Sequence, residues 1–149
     1  MNQTPPSIPG FSMQSLLGRG GFADVYLYRQ KRPERKVAIK VLRELGSREG
    51  RQVFATEADS LALTSAHPAI LSLYQTGKLP DGRPYLVLQY GPVANLSQRV
   101  RRYPLSAEQA LDTTIRLAGA LETVHRAGLV HRDIKPANVL ISEFSTTVI

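Results

Sequence analysis

Apolar and polar positions alternate with a period of two along much of residues 11–90, and with a helical period along much of residues 91–149. A polar, Pro-rich lead-in, MNQTPPSIPG, reads as a flexible tail over residues 1–10. Three strand-like runs come next: FSMQSLLG, FADVYLYRQ and KVAIKVL. Val25 and Leu27 in the second, and Val37, Ile39 and Val41 in the third, recur at every other position, as a pleated strand with distinct faces requires. The basic segment between them, Arg29 to Lys36 (RQKRPERK), reads as a solvated hairpin turn. Residues 48–66 then place Phe54, Ala58, Leu61 and Ala62 at helical steps. His67-Pro68 stops that helix, because the residue before a proline is pushed out of the α region. Two further strands, ILSLYQTG and PYLVLQY, flank the turn Pro80-Asp81-Gly82.

Beyond residue 91 the pattern turns helical. Asn95 to Arg102 forms a short helix candidate. Ser106-Ala107-Glu108-Gln109 is a capping box, in which the Ser hydroxyl and the Gln side chain satisfy free N–H groups at a helix start. Leu111, Ile115, Ala118, Leu121 and Val124 make an apolar stripe, and Gly128 sits where a left-handed cap residue belongs. A short final strand, TTVI, closes the chain. The order of elements, strands with one helix among them and then a mainly helical segment, predicts an α+β fold.

Composition narrows the function classes. At 149 residues and 16.4 kDa there is room for one ordinary domain, and 42% hydrophobic with 21% charged residues is globular. The absence of cysteine excludes disulfides, thiolate catalysis and Cys-ligated zinc. His67, His125 and His131 are too widely spaced in sequence for an obvious metal cluster. No apolar run reaches the roughly 20 residues of a membrane span, and the N-terminus has no signal-peptide pattern. The expectation is a soluble cytoplasmic chain without a membrane segment. A net charge of +7 and a pI near 10.1 raise nucleic acid as a partner. The excess is confined, at +6 over residues 1–52, +2 over 53–105 and −1 over 106–149. Neither the hairpin cluster nor Arg99, Arg101 and Arg102 is interleaved with aromatic residues as a base-stacking surface requires, so no nucleic-acid partner is expected. Nothing in the pattern fixes an oligomeric state.

Three motifs carry chemistry. Leu17-Gly18-Arg19-Gly20-Gly21-Phe22-Ala23-Asp24-Val25 is a glycine-rich turn between two strands. Glycines let backbone amides approach phosphate oxygens without a Cβ in the way. Alone, such a turn is more often structural. A strand rather than a helix succeeds it, which argues against a dinucleotide fingerprint or a P-loop. Val37-Ala38-Ile39-Lys40 places a lysine among apolar neighbours on a strand, where by itself it reads as a snorkelling side chain. Downstream of a phosphate-covering turn, the same ammonium becomes a phosphate ligand candidate. The third motif is His131-Arg132-Asp133-Ile134-Lys135-Pro136-Ala137-Asn138.

With these three strings in this order, the chain resembles the protein kinase family from about Phe11 to its last residue. The resemblance implies ATP and Mg²⁺ as cofactors and a protein substrate presenting a Ser or Thr hydroxyl. It implies an N-lobe over residues 11–90, a five-stranded antiparallel sheet with one helix, then the hinge and part of a helical C-lobe over 91–149. Leu17, Gly18, Arg19, Gly20, Gly21 and Val25 would cover the phosphates, with Ala23 in place of the third glycine. Lys40 would contact the α- and β-phosphates and pair with Glu57, Asp59 being the weaker candidate. Leu88, Gln89 and Gly91 would form the hinge that binds the adenine edge, with Leu88 at the gatekeeper position. Val25, Ala38 and Leu140 would sandwich the purine. Asp133 would receive the substrate proton, Lys135 would stabilise the transferring phosphoryl group, and Asn138 would hold the metal. Lys135, with the HPAIL stretch at His67 to Leu71, is similar to eukaryotic-type Ser/Thr kinases of bacteria.

The family continues after this point into a D-F-G motif, which supplies the main metal carboxylate. It is absent here, and Glu143 is the only late acidic residue. The chain therefore reads as a fragment of a longer kinase, inactive alone, with the 106–127 helix short of packing partners and the Lys40–Glu57 pair weakly enforced. A non-catalytic nucleotide-binding or regulatory pseudokinase is the alternative. A small-molecule kinase of the aminoglycoside or choline type fits less well.

Overall fold

The computed structural model describes residues 5–43, 48–91, 94–141 and 146–148. Strands β1 (Phe11–Arg19), β2 (Ala23–Lys31), β3 (Glu34–Leu42), β4 (Leu73–Lys78) and β5 (Pro84–Gln89) form one antiparallel sheet in the order β1-β2-β3-β5-β4. Helix α1 (Arg48–Thr64) separates β3 from β4 in the chain. After β5 come α2 (Leu96–Arg102), α3 (Ala107–Arg126), a 3-10 turn (Pro136–Asn138) and a small hairpin of β6 (Val139–Ile141) with β7 (Thr146–Val148). This is the expected α+β architecture. The described residues fall into two compact units, those of 1–59 with 73–90 and those of 60–72 with 91–149. No described helix is long and apolar enough to cross a membrane.

In the first unit the register assigns each side chain to a face. Pairing Tyr26 with Ile39, Tyr28 with Val37, and Ile39 with Val87 stacks these side chains into one buried cluster, joined by Val41, Leu79 and Ile8. Ile8 corrects the flexible-tail reading for residues 5–10. It is only 3% exposed, the Tyr28 hydroxyl donates to the Pro6 carbonyl, and Lys31 N–H donates to Gly10 O. One apolar residue in a Pro-rich segment is enough to dock it when the sheet face beneath is hydrophobic. Residues 1–4 of that tail, Glu143 and Ile149 lie outside the described residues. Burial pushes the Tyr28 phenol up to about 12. Gly77 pairs with Tyr85, whose ring occupies the space a Cβ would need, at 2.3 Å from its position. A side chain there requires the ring to move aside. In the hairpin, Arg29 pairs with Glu34, while Arg35 donates to Gln30 and lies 3.6 Å over the Tyr74 ring centroid. β4 begins at Leu73 rather than Ile70, because Ile70 N–H closes a turn on His67 O.

In the second unit, Ser106 and Gln109 form the expected reciprocal cap of α3. Gly128 has φ 74°, the left-handed conformation that favours glycine. The packed face of α3 is rotated from the stripe the sequence suggests. Thr113 and Ala120 are buried and Leu117 is half-buried, whereas Leu111 and Ile115 are each 61% exposed. Small residues decide this. At Gly119 a Cβ would stand 3.4 Å from the His67 imidazole, so close approach favours the small-residue face over the more hydrophobic one.

Candidate functional site

In the first unit, β3 presents Ala38 and Lys40 on one face, opposite Leu27 and Val25 of β2 and Leu88 and Leu86 of β5. Val25 is half-buried, and Ala38 and Leu88 are buried. Lys40 Nζ donates to both oxygens of Glu57, at 2.7 and 2.6 Å, with about a quarter of each side chain exposed. The expected weak pair is thus formed in bidentate geometry, and Asp59 is exposed to solvent. The β1–β2 turn, Lys40 and Glu57 line a cleft of about 150 Å³, to which Gly20, Gly21, Phe22 and Ala23 contribute. Pockets that enclose a whole drug-sized ligand run to about 300–1,000 Å³. At about 150 Å³ this cleft is smaller than those. A Cβ would find open space at Gly18 and Gly21, but at Gly20 it would come within 3.1 Å of Ala23 O, across the hydrogen bond from Gly20 N–H to that carbonyl. A cation beside a turn that backbone can approach fits a phosphate. Leu17 and Arg19 are exposed at the end of β1.

Sequence reasoning gave Asp24 no role and missed Arg43. The Asp24 carboxylate is buried on β2, where Arg43 Nη2 donates to its Oδ1 at 2.9 Å and the Tyr26 hydroxyl approaches Oδ2 at 3.4 Å. Burial, then the neighbouring carboxylate, raises the Tyr26 phenol above its ordinary value. The alternation Asp24, Tyr26, Tyr28, Gln30 was the available signal: a carboxylate on a strand's inward register needs a partner.

In the second unit, Asn95 caps α2 through a capping box with Gln98 and forms a β-bridge with Leu140, while Ile141 N–H donates to Ala94 O. These bonds hold β6 immediately after the Asp133–Asn138 segment. Asn138 Nδ2 donates to Asp133 Oδ2 at 2.8 Å and to its backbone carbonyl at 2.9 Å. Lys135 Nζ stands 2.8 Å from Asp133 Oδ2. Lys135 first, and Asn138 second, hold the exposed Asp133 carboxyl below its ordinary range. Asp133 is thereby kept as an ionised acceptor. Because the Asn138 nitrogen is committed to Asp133, its Oδ1 is the atom suited to a cation. Among the described residues no three His, Asp or Glu cluster as metal ligands. Arg132 has φ 62°, a strained value for a residue with a side chain, of the sort that concentrates at functional sites. Leu140, Gln89 and Gly91 are half-buried.

Comparison with known proteins identifies the family. The model of the protein kinase domain matches residues 11–148. The chain is 38% identical over 146 residues to the serine/threonine-protein kinase PknK of Mycobacterium tuberculosis, covering 93% of this chain and 13% of that protein. It is 40% identical over 138 residues to the probable serine/threonine-protein kinase SCO3848 of Streptomyces coelicolor, covering 89% and 20%. It is 36% identical over 146 residues to the serine/threonine-protein kinase PknB of Mycobacterium leprae, covering 93% and 23%. The chain thus spans less than a quarter of the length of these relatives. With a glycine-rich turn, a Lys40–Glu57 pair and an Asp133–Asn138 loop set in an α+β fold of matching sequence, the chain belongs to the protein kinase family, in its bacterial Ser/Thr branch.

Proposed function

We propose that the protein transfers the γ-phosphoryl group of ATP to Ser or Thr hydroxyls of a protein substrate, and that it works in the cytoplasm, where ATP is supplied. The observation that carries this reading is Asp133, an ionised and exposed carboxylate held by Lys135 and Asn138. Asp133 takes the hydroxyl proton as the substrate oxygen bonds the γ-phosphorus, the β–γ bridging bond breaks and ADP leaves. Lys135 lies beside the same carboxylate and compensates charge on the transferring group. Lys40, fixed by Glu57, takes the α- and β-phosphates, and the turn from Gly18 to Ala23 covers them. Leu88, Gln89 and Gly91 serve the adenine edge, with Val25, Ala38 and Leu140 as its apolar neighbours. Mg²⁺ bound at Asn138 Oδ1 would neutralise phosphate charge. The two lobes of this reading are residues 11–90 and 91–149.

The test is transfer from γ-labelled ATP to a Ser/Thr-containing protein by the full-length protein, with and without Asp133→Asn. Losing a positioned general base costs about 10²- to 10⁴-fold, and the label should reside on Ser or Thr. Transfer by Asp133→Asn at the unaltered rate, or label on Tyr, would contradict the assignment.

A further inference from the structure

The ion pair of buried Asp24 with half-buried Arg43 adjoins the glycine-rich turn and touches its backbone. We propose that Arg43 is a positioning residue for phosphate binding, whose side chain grips the turn at Gly20 and aims the Gly21 amide; this rests on the nucleotide reading above. Arg43 Nη2 donates to Gly20 O at 2.5 Å and to Asp24 Oδ1 at 2.9 Å, and Arg43 N–H donates to Phe22 O at 2.8 Å. The Arg43 side chain therefore ties the Gly20 carbonyl of the turn to Asp24, while its backbone holds the Phe22 carbonyl.

The planarity of the peptide unit links that grip to the amides. In a trans peptide the C=O and the next N–H point in opposite directions. With the Gly20 carbonyl directed at Arg43, the Gly21 N–H is directed away from it. The Phe22 carbonyl is held by the Arg43 backbone N–H, along the β2–β3 ladder, and that bond survives a change of the side chain. A backbone amide fixed in one direction can serve an anion, and one that needs no reorganisation on binding is the more effective. The guanidinium cannot swing freely, because Asp24 is only 6% exposed and Tyr26, itself in the core cluster, backs it. At Gly20 a Cβ would stand 3.1 Å from Ala23 O, a tight contact, so the turn is close-packed before Arg43 holds it. Ala23 in place of a third glycine removes backbone freedom at the same spot. Arg43 touches no phosphate in this scheme; it acts through the backbone.

The experiment compares ATP with adenosine, which carries no phosphate. Arg43→Ala is expected to weaken ATP binding about tenfold, the scale of a lost charged hydrogen bond, while adenosine binding stays unchanged. Amide hydrogen exchange at residues 20–23 should speed up while residues 37–42 and 84–89 stay protected. Should Arg43→Ala lower protection in those strands, Arg43→Lys is read in its place: it keeps the charge beside Asp24 but not the two-way grip, and the same selective loss is expected. Equal losses for ATP and adenosine would reduce Arg43 to a structural role and overturn the proposal. So would ATP affinity that survives Arg43→Ala but falls with Lys40→Met. ATP affinity unchanged by Lys40→Met would instead overturn the nucleotide reading, and exchange at residues 20–23 would still decide whether Arg43 holds the turn.

Discussion

Lys40 reaches Glu57 across 17 residues of chain, whereas Asp133 and Asn138 meet across five. The first pair depends on a strand and a helix each being held by a core. The second is made by one loop folding on itself, on a unit whose helix α3 buries only Thr113 and Ala120 among the described residues. In the sheet unit, Val37, Ile39 and Val87 are fully buried, and polar groups such as Asp24 are pinned by long-range partners. The two units therefore secure their polar chemistry differently: one through packing, the other through short hydrogen bonds.

That difference can be broken by unequal damage. Ile39→Ala removes a fully buried side chain and should cost about 2–5 kcal/mol of stability in urea denaturation. The matching change on α3, Ile115→Ala at an exposed site, should stay within about 0.5 kcal/mol. Similar costs for the two would erase the distinction. Gly77→Ala forces the Tyr85 ring aside and should cost about 1–3 kcal/mol; a neutral result would mean that ring moves freely. Ser106→Ala deletes the α3 cap and should cost about 1 kcal/mol, read as a lower thermal midpoint.

The smallest effect is electrostatic. The Asp133 carboxyl is lowered in the folded chain, so its pairing stabilises above the ordinary carboxylate range and is lost as pH falls through the folded value. Lys135→Met should raise its titration midpoint more than Asn138→Ala, in the order of the two causes. Carboxyl-carbon NMR titration measures this directly, and no movement in either variant would show that the loop does not hold Asp133.

The same contrast explains what is legible in the sequence. Ser106 with Gln109, and Asp133 with Asn138, lie within one short string each, so their spacing states their geometry. Asn95 with Gln98 carries the same capping signal, which the sequence reading missed. The sheet is visible in the alternation, but alternation cannot tell which strands neighbour one another, and β5 stands between β3 and β4 by tertiary pairing. Arg43 lies 19 residues from Asp24, and only the register of β2 on β3 brings them together. Ile8 docks for the same nonlocal reason. On α3, hydrophobicity favours Leu111 and Ile115, while fit favours the small residues.

Binding of nucleotide phosphate by the packed unit through Lys40 is tested most directly by calorimetric titration of MgATP into the wild-type chain and into Lys40→Met. The expected result is binding by the wild type and a loss of about tenfold or more in the variant, the scale of a charged phosphate contact. Equal affinity of the two proteins for MgATP would contradict it.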